Sequence, residues 1–378
     1  MGAETSNSTD TSEPSCRIVV VSPSSGEDCL TELRFLPRSA RIVAIGNSLD
    51  ELLKEGYNFM DADVLLNLRG SAASIGPIIR EMPNITWLHS VTAGVDHIMC
   101  PEICDNDKLL LTNAKGIFSS SLAEYVMGAI SYFSKDFPRL IRQRQSKNWE
   151  KFCVDEIRGK TMGIVGYGDI GIACAKLANA YGMKVVGLRR NPELSSEDKL
   201  IDKVNLSKYV SSRSHISNIT RILDQPPAIA KHVPLKKPMF QMYGTDGLHE
   251  LLQISDYVVV AVALTEETEG MLGAEQFAHS KKGQILINVA RGPVIVEDDL
   301  VEALTNGNIA GAALDVFCEE PLPKTSKFWD LENVLLSPHN ADQLVDFRHK
   351  SVQFFCENCA RYIADLPLRN IISARNGY

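Results

Sequence analysis

The sequence predicts an α/β protein in which parallel sheets are joined by crossover helices. Two observations carry this. Short Val/Ile-rich runs alternate with helix-length amphipathic runs in two successive stretches, the rhythm of parallel strands linked by helices. One of those runs also leads straight into a glycine-rich turn, GYGDIG at Gly166–Gly171, which opens a further helical run. Composition agrees with a globular chain: hydrophobic residues are 44% and charged residues 23%. A length of 378 residues suggests two domains at about 100–200 residues each. No apolar run reaches the roughly 18 residues of a membrane span, so no membrane association is expected.

The elements follow in order. Residues 1 to 16 are rich in Ser, Thr, Asn and Glu, without apolar periodicity, and read as a disordered lead-in that lacks the basic start and apolar centre of a signal peptide. Strands are expected at Arg17–Val21, Arg41–Ile45, Asp63–Leu66, Thr86–His89 and Leu109–Thr112, with helices such as Ser48–Glu55 and Ala73–Met82 between them. A single long helix is expected from Ser119 to about Ser146, as a connector into the second unit. There, strands are expected at Thr161–Val165, Lys184–Leu188, Asp256–Val262, Gln284–Val289, Ile309–Leu314 and Asn333–Ser337, and one closing helix from Asp342 to about Tyr362. Residues 193 to about 245 break the rhythm. They carry Pro226, Pro227, Pro234 and Pro238, and read as an insertion that is partly ordered at best.

Charge and cysteine usage exclude other classes. Lysine and arginine total 39 against 47 for aspartate and glutamate, a net charge of −8, and there is no basic tail, which argues against nucleic acid as a partner. Nine scattered cysteines, an odd number, fit reduced thiols and a cytoplasmic compartment better than a disulfide framework. Cys100, Cys104, Cys356 and Cys359 form a conceivable zinc set, yet Cys356 and Cys359 lie in an apolar helical run and read as buried structural thiols, so no metal is expected. His89 and His97 read as structural.

The glycine turn carries the first functional signal. A strand, G-x-G-x-x-G, a helix and a second strand form the dinucleotide fingerprint. Gly166 permits a tight turn, Gly168 lets the backbone approach a pyrophosphate, and Gly171 lets the helix pack closely on the sheet. Asp169 and Ile170 lie in the same turn, and the helix N-terminus offers unpaired N–H groups to phosphate. The second strand ends in Arg189 and Arg190, where NAD sites usually place a carboxylate. Guanidinium groups attract a 2′-phosphate, so NADP(H) is favoured over NAD(H); the alternative is that both arginines are solvated loop charges.

Three polar groups fall at the predicted carboxyl ends of strands: Arg291 in INVARGP, Glu320 in ALDVFCEEPLP and His339 in LLSPHNAD. Ligands of open parallel sheets bind at that edge. Together the three suit ketone–alcohol exchange. Histidine protonates the developing alkoxide, a carboxylate orients the ring, and arginine clamps a substrate carboxylate bidentately.

With these motifs on the page, the sequence closely resembles the D-isomer-specific 2-hydroxyacid dehydrogenases, of the glyoxylate/hydroxypyruvate reductase type. The similarity runs from about Arg17 onward through VTAGVDHI (Val91–Ile98), GKTMGIVGYGDIG (Gly159–Gly171), VVAVALTEETEGML (Val259–Leu272), NVARGPVIVEDDLVEAL (Asn288–Leu304), ALDVFCEEPLP (Ala313–Pro323) and SPH (Ser337–His339). The resemblance implies a Rossmann-type coenzyme domain, 116–339, inserted into a flavodoxin-like substrate domain, 17–115 plus 340–378, both doubly wound parallel sheets. It implies Arg291 as substrate-carboxylate arginine, Glu320 rather than Glu319 as histidine partner, and His339 as acid/base. Ala93, Gly94 and Val95 are similar to a loop whose N–H groups hold the substrate, and Arg69 to a substrate-side residue. Asp315 is similar to a residue meeting the nicotinamide amide; Ala263, Leu264, Val289, Ala290 and His339 complete the cofactor side. The implied activity is hydride transfer between NAD(P)H and a small 2-oxoacid or D-2-hydroxyacid, in a homodimer formed through the coenzyme domain. One departure is Asp342, where many relatives have small residues. The alternative reading is a dinucleotide-sensing, corepressor-like interaction protein with little or no turnover.

Overall fold

The computed structural model describes residues 16–192, 240–244 and 247–373. Contacts divide the chain into two compact units, Met1–Ser119 with Ala263–Glu267 and Asp342–Tyr378, and Ser120–Val262 with Thr268–Ala341. No helix among the described residues is long and apolar enough to cross a membrane.

The first unit is built on strands β1 (Cys16–Val21), β2 (Ala40–Gly46), β3 (Val64–Asn67), β4 (Trp87–Ser90) and β5 (Leu110–Asn113), with helices α1 (Leu49–Lys54), α2 (Ala72–Arg80) and α3 (Pro101–Cys104) in the connections. The first five strands are parallel and run β5-β4-β3-β1-β2 across the sheet. That order reverses direction between β1 and β3, the doubly wound flavodoxin-like arrangement. Strand alternation explains why both faces are covered. Val19 and Val21 of β1 point into one apolar cluster and Ile18 and Val20 into the other, so the apolar residues of the strand meet a core on both faces.

The second unit begins with α4 (Ser119–Ser134) and α5 (Phe137–Ser146), followed by β6 (Thr161–Val165), α6 (Asp169–Ala180), β7 (Lys184–Leu188) and β8 (Phe240–Tyr243). Then come α7 (Leu248–Ile254), β9 (Tyr257–Val260), α8 (Ala274–Ala278), β10 (Ile285–Asn288), α9 (Glu297–Asn306), β11 (Gly311–Leu314) and β12 (Val334–Leu336). Its seven strands are all parallel, in the order β12-β11-β10-β9-β6-β7-β8. The reversal lies between β6 and β9, so the carboxyl end of β6 is the topological switch point. One face is covered by α4 and α6 through Val126, Ile130, Cys174, Ala175 and Ala178, packed on Met162, Ile164, Val185 and Ile287. The chain returns to the first unit as α10 (Phe347–Ile363) and β13 (Ile371–Ile372), the latter antiparallel to β5 at the sheet edge.

Four differences from the sequence reading have local causes. The single helix expected over Ser119–Ser146 is two. Asp136 adopts a left-handed backbone (φ 50°) and caps α5 by accepting from Arg139 N–H, and Pro138 at the second helical position cannot continue the preceding ladder. The closing helix starts at Phe347 instead of Asp342, because the preceding residues form turns, with Leu344 N–H on Asp342 O and Phe347 N–H on Leu344 O. Phe240–Tyr243, read as part of the insertion, is a strand pairing with β7. β13 was not expected; two residues carry no periodicity. β1 starts at Cys16, and the expectation for residues 1–15 and for 193–239 lies outside the described residues.

Candidate active site

The glycine turn connects β6 to α6, as expected. Gly166 has φ 101°, and a Cβ there would meet the backbone of Ala261 and Val262 at 2.6–2.7 Å. Gly171 would bring a Cβ to 2.5 Å from Gly166 O and 3.0 Å from Ile164 of β6, which is the close helix–sheet approach. Gly168, the N-cap of α6, has no heavy atom within 4 Å of such a Cβ. So two glycines are needed by the protein's own packing, while the middle one faces open space. The loop is pinned to the neighbouring strand: Gly166 and Tyr167 N–H both donate to Leu188 O at 3.1 and 3.0 Å. Arg189 and Arg190 therefore emerge beside the loop, the first half-buried and the second exposed. A dinucleotide fits these features. Its pyrophosphate would lie on Gly168, Asp169, Ile170 and Gly171 at the start of α6, where the helix end favours anions.

The other candidates of this unit line the same sheet edge. Hydrogen bonds step across it from strand to strand: Ala261 N–H to Val165 O, Val289 N–H to Val260 O, Asp315 N–H to Asn288 O, and Ser337 N–H to Leu314 O. Val289 and Ala290 follow β10 and are buried. Arg291 follows them, half-buried, with Nη1 donating to Ala290 O at 2.8 Å. Its turn is braced by Asn288, which donates from Nδ2 to Arg291 O and accepts from Ala290 N–H. Gly292 has no room for a side chain: a Cβ would lie 1.9 Å from the carbonyl carbon of Phe317. The arginine turn thus packs against the backbone that leads to Glu320.

Glu320 and His339 are joined. His339 Nδ1 and Glu320 Oε2 are 2.8 Å apart, and the other carboxylate oxygen accepts Phe317 N–H at 2.9 Å. Both side chains are about a third exposed, so the pair is open at its outer side (39% and 35%). Nε2 is the ring atom left for a reacting oxygen. Asp315 is buried, 1% exposed, and its two carboxylate oxygens accept backbone N–H groups of Asn340 (2.8 Å) and Ala341 (3.2 Å). Burial first, then the charge of Asp315, pushes the Tyr125 phenol well above its ordinary range.

In the first unit, Ala93, Gly94 and Val95 follow β4. Their carbonyls are held inward, Ala93 O by Asn113 Nδ2 at 2.5 Å and Gly94 O by Thr92 Oγ1 at 2.8 Å. Their three N–H groups donate to nothing among the described residues, which makes the turn a natural cradle for an anion. Arg69 follows β3, exposed, on a turn fixed by Asn67 bonding both N–H and C=O of Gly70. Ala263 and Leu264 follow β9, exposed and half-buried respectively. His89 is fully buried, and burial lowers its pKa to about 3; Nδ1 meets Thr112 Oγ1 at 2.7 Å. Among the described residues no group of three or more His, Cys, Asp or Glu is placed to hold a metal ion. Asn288 braces the Arg291 turn and Asn113 the Ala93–Val95 turn, roles that the sequence did not point to; Asn288 lies inside the NVARGP motif, but spacing alone does not reveal a turn brace.

Residues 127–231 and 228–341 match the family model described as D-isomer specific 2-hydroxyacid dehydrogenase, NAD binding domain. The chain belongs to this family. Its members are oxidoreductases acting on CH–OH donors with NAD(P). A glyoxylate reductase of Thermofilum pendens is 31% identical, over 87% of this chain and 82% of its own. A D-3-phosphoglycerate dehydrogenase of Methanocaldococcus jannaschii is 28% identical over 88% of this chain, which spans only 55% of that protein. Among solved structures, a family protein of Aeromonas salmonicida superposes with a TM-score of 0.70 at 26% identity, covering 95% of this chain and 99% of that one. An NADPH-dependent glyoxylate/hydroxypyruvate reductase of Sinorhizobium meliloti, solved with NADP and sulfate, gives 0.71 at 23% identity over 96% and 100%, a likeness of fold.

Proposed function

We propose that this dehydrogenase interconverts a small 2-oxoacid and its D-2-hydroxyacid, with glyoxylate or hydroxypyruvate as substrate and NADP(H) preferred. The observation that carries it is the Glu320–His339 pair, 2.8 Å apart, at the same sheet edge as Arg291 and the glycine turn. A bound nicotinamide supplies hydride donation or acceptance; everything else falls to the chain's own residues. Gly166, Gly168, Asp169, Ile170 and Gly171 hold the pyrophosphate, Arg189 and Arg190 a 2′-phosphate, and Ala263, Leu264, Val289, Ala290 and Asp315 flank the rest.

In the second unit Arg291 is assigned to the substrate carboxylate as a bidentate donor; for the first unit, the family resemblance implies substrate-side roles for the N–H groups of Ala93, Gly94 and Val95 and for Arg69. His339 gives a proton from Nε2 to the carbonyl oxygen as negative charge develops there, and takes it back in the reverse direction. Glu320 accepts from Nδ1–H, so the neutral ring keeps Nε2 bare to take the proton and the imidazolium that carries the second proton on Nε2 is stabilised. The test is turnover of NADPH with a panel of 2-oxoacids, followed by nicotinamide absorbance. His339→Ala should lower kcat by about 10²–10⁴-fold with cofactor affinity kept. Near-wild-type turnover in that variant refutes the assignment, and cofactor binding without turnover on any oxoacid favours the dinucleotide-sensing alternative.

A cytoplasmic homodimer completes the proposal. α5 buries none of its residues, and Phe137, Leu140 and Ile141 are exposed on it, followed by Trp149 at 95% exposure. A second copy of the chain covering this stretch accounts for them. Trp149→Glu should then shift the protein toward monomer in analytical ultracentrifugation.

A further inference from the structure

His339 has a backbone that ordinary residues avoid. Its φ is 52°, in the left-handed region, yet the residue has a Cβ and a ring. Something must hold it there. Three successive N–H groups, those of His339, Asn340 and Ala341, all end on one residue. His339 N–H donates to Asp315 O at 2.8 Å, Asn340 N–H to Asp315 Oδ1 at 2.8 Å, and Ala341 N–H to both carboxylate oxygens at 3.2 Å. From the other side, Ser121 on the first turns of α4 donates its hydroxyl to Ala341 O at 2.7 Å. The turn is therefore clamped at every N–H and at its last carbonyl.

The same strand end holds the ring. Asp315 follows β11 directly, and Glu320 lies on the loop continuing from it, with Phe317 N–H locking Glu320 Oε1. Backbone and imidazole of His339 are thus both referenced to one short segment, residues 315–320. A carboxylate that is 1% exposed and already engaged by backbone N–H groups is suited to shaping a turn.

We propose that Asp315 and Ser121 are positioning residues that hold the 339–341 turn in its left-handed conformation and so aim His339 Nε2 at the substrate oxygen. This rests on His339 being the proton donor and acceptor of the proposed reaction. It gives Asp315 a task distinct from contact with the nicotinamide amide, and gives Ser121, which no motif singled out, a task in turnover.

The experiment is a double-mutant cycle on the full-length protein. Ser121→Ala should lower kcat about 5–20-fold, with oxoacid KM and NADPH Kd each within about twofold of wild type. Ser121→Thr, which keeps the hydroxyl, should restore most of the rate. In a His339→Ala background, Ser121→Ala should change nothing further, because a residue acting through the imidazole has no effect without it. Asp315→Asn, if it folds, should lower kcat more severely than Ser121→Ala, and in a His339→Ala background it should lower kcat no further. A further fall in kcat when Asp315→Asn is added to His339→Ala would overturn its positioning role. An undiminished effect of Ser121→Ala in the His339→Ala background would overturn that of Ser121. If instead His339→Ala itself turns over normally, the functional reading has failed. The clamp is then decided by NMR, from the His339 Cε1–H cross-peak, assigned by its absence in His339→Ala. Movement in Ser121→Ala supports the clamp, and an unmoved peak refutes it.

Discussion

Gly166 and Gly168 are two residues apart, yet alanine should act on them in opposite ways. At Gly166 the added Cβ would lie 2.6–2.7 Å from backbone atoms of Ala261 and Val262, and φ is 101°. Backbone strain of about 1–3 kcal/mol and overpacking of about 1–3 kcal/mol add up to roughly 3 kcal/mol lost. At about 2–4 °C per kcal/mol for a unit of this size, the melting temperature should fall roughly 6–12 °C. At Gly168 the Cβ meets nothing within 4 Å, and φ is −97°, which alanine accepts readily. Losing a favourable N-cap and stiffening the unfolded chain offset each other, so stability should stay within about 1 kcal/mol. Cofactor binding should nevertheless drop at least about tenfold, near 1.4 kcal/mol, because the methyl group occupies the space a pyrophosphate must enter. Differential scanning calorimetry gives the first quantity and NADPH fluorescence titration the second. Wild-type NADPH affinity in Gly168→Ala would refute the placement of the phosphates, and an undiminished melting temperature in Gly166→Ala would refute the packing argument.

Other outcomes follow from the same geometry. Glu320→Gln keeps the shape but loses the charge-assisted bond at 2.8 Å to His339, so kcat in reduction should fall roughly 10–10²-fold; steady-state assays showing less than a twofold change would count against the pairing. Arg189→Ala should weaken NADPH about tenfold or more while leaving NADH unchanged, and equal weakening of both would remove the 2′-phosphate assignment. Burial depresses His89 to about 3, so the unfolded chain binds the extra proton between pH 6.5 and 3; stability is complete above pH 6.5 and declines as pH falls, by up to about 1.4 kcal/mol per unit. Urea midpoints measured from pH 7 to 4 should show this slope in wild type and lose it in His89→Gln; identical slopes would place the titration elsewhere.

Much of the candidate site's layout was legible because its signals are local. The glycine turn needs a strand before it and a helix after it, and Gly166, Gly168 and Gly171 fall in that context with the spacing intact. Arg291, Glu320 and His339 stood out as polar groups ending apolar strands, and topology brings those strand ends side by side. The clamp on His339 was not legible. Ser121 and Ala341 are bonded across more than two hundred residues of chain, and a serine at the start of a helix reads as a cap. The break between α4 and α5 was marked by Pro138, but the apolar spacing of α4 masked it. β8 is an edge strand of four residues beside an irregular stretch, too short for periodicity to reveal.

The return of α10 and β13 to the first sheet has a consequence for synthesis. Ile18, Val20, Leu66 and Trp87 form a face whose cover, Val352, Phe355 and Cys359, comes from α10, with Trp87 stacked 5.1 Å from Phe355 and Glu27 bonded to Arg348 at 2.6 Å. The roughly 230 residues between Ser119 and Phe347 take on the order of 10–45 s to translate at about 5–20 residues per second. Throughout that interval the nascent amino-terminal third carries a bare greasy surface. A ribosome stalled before Phe347 would therefore present a client for holdase chaperones, and that window closes only when α10 emerges.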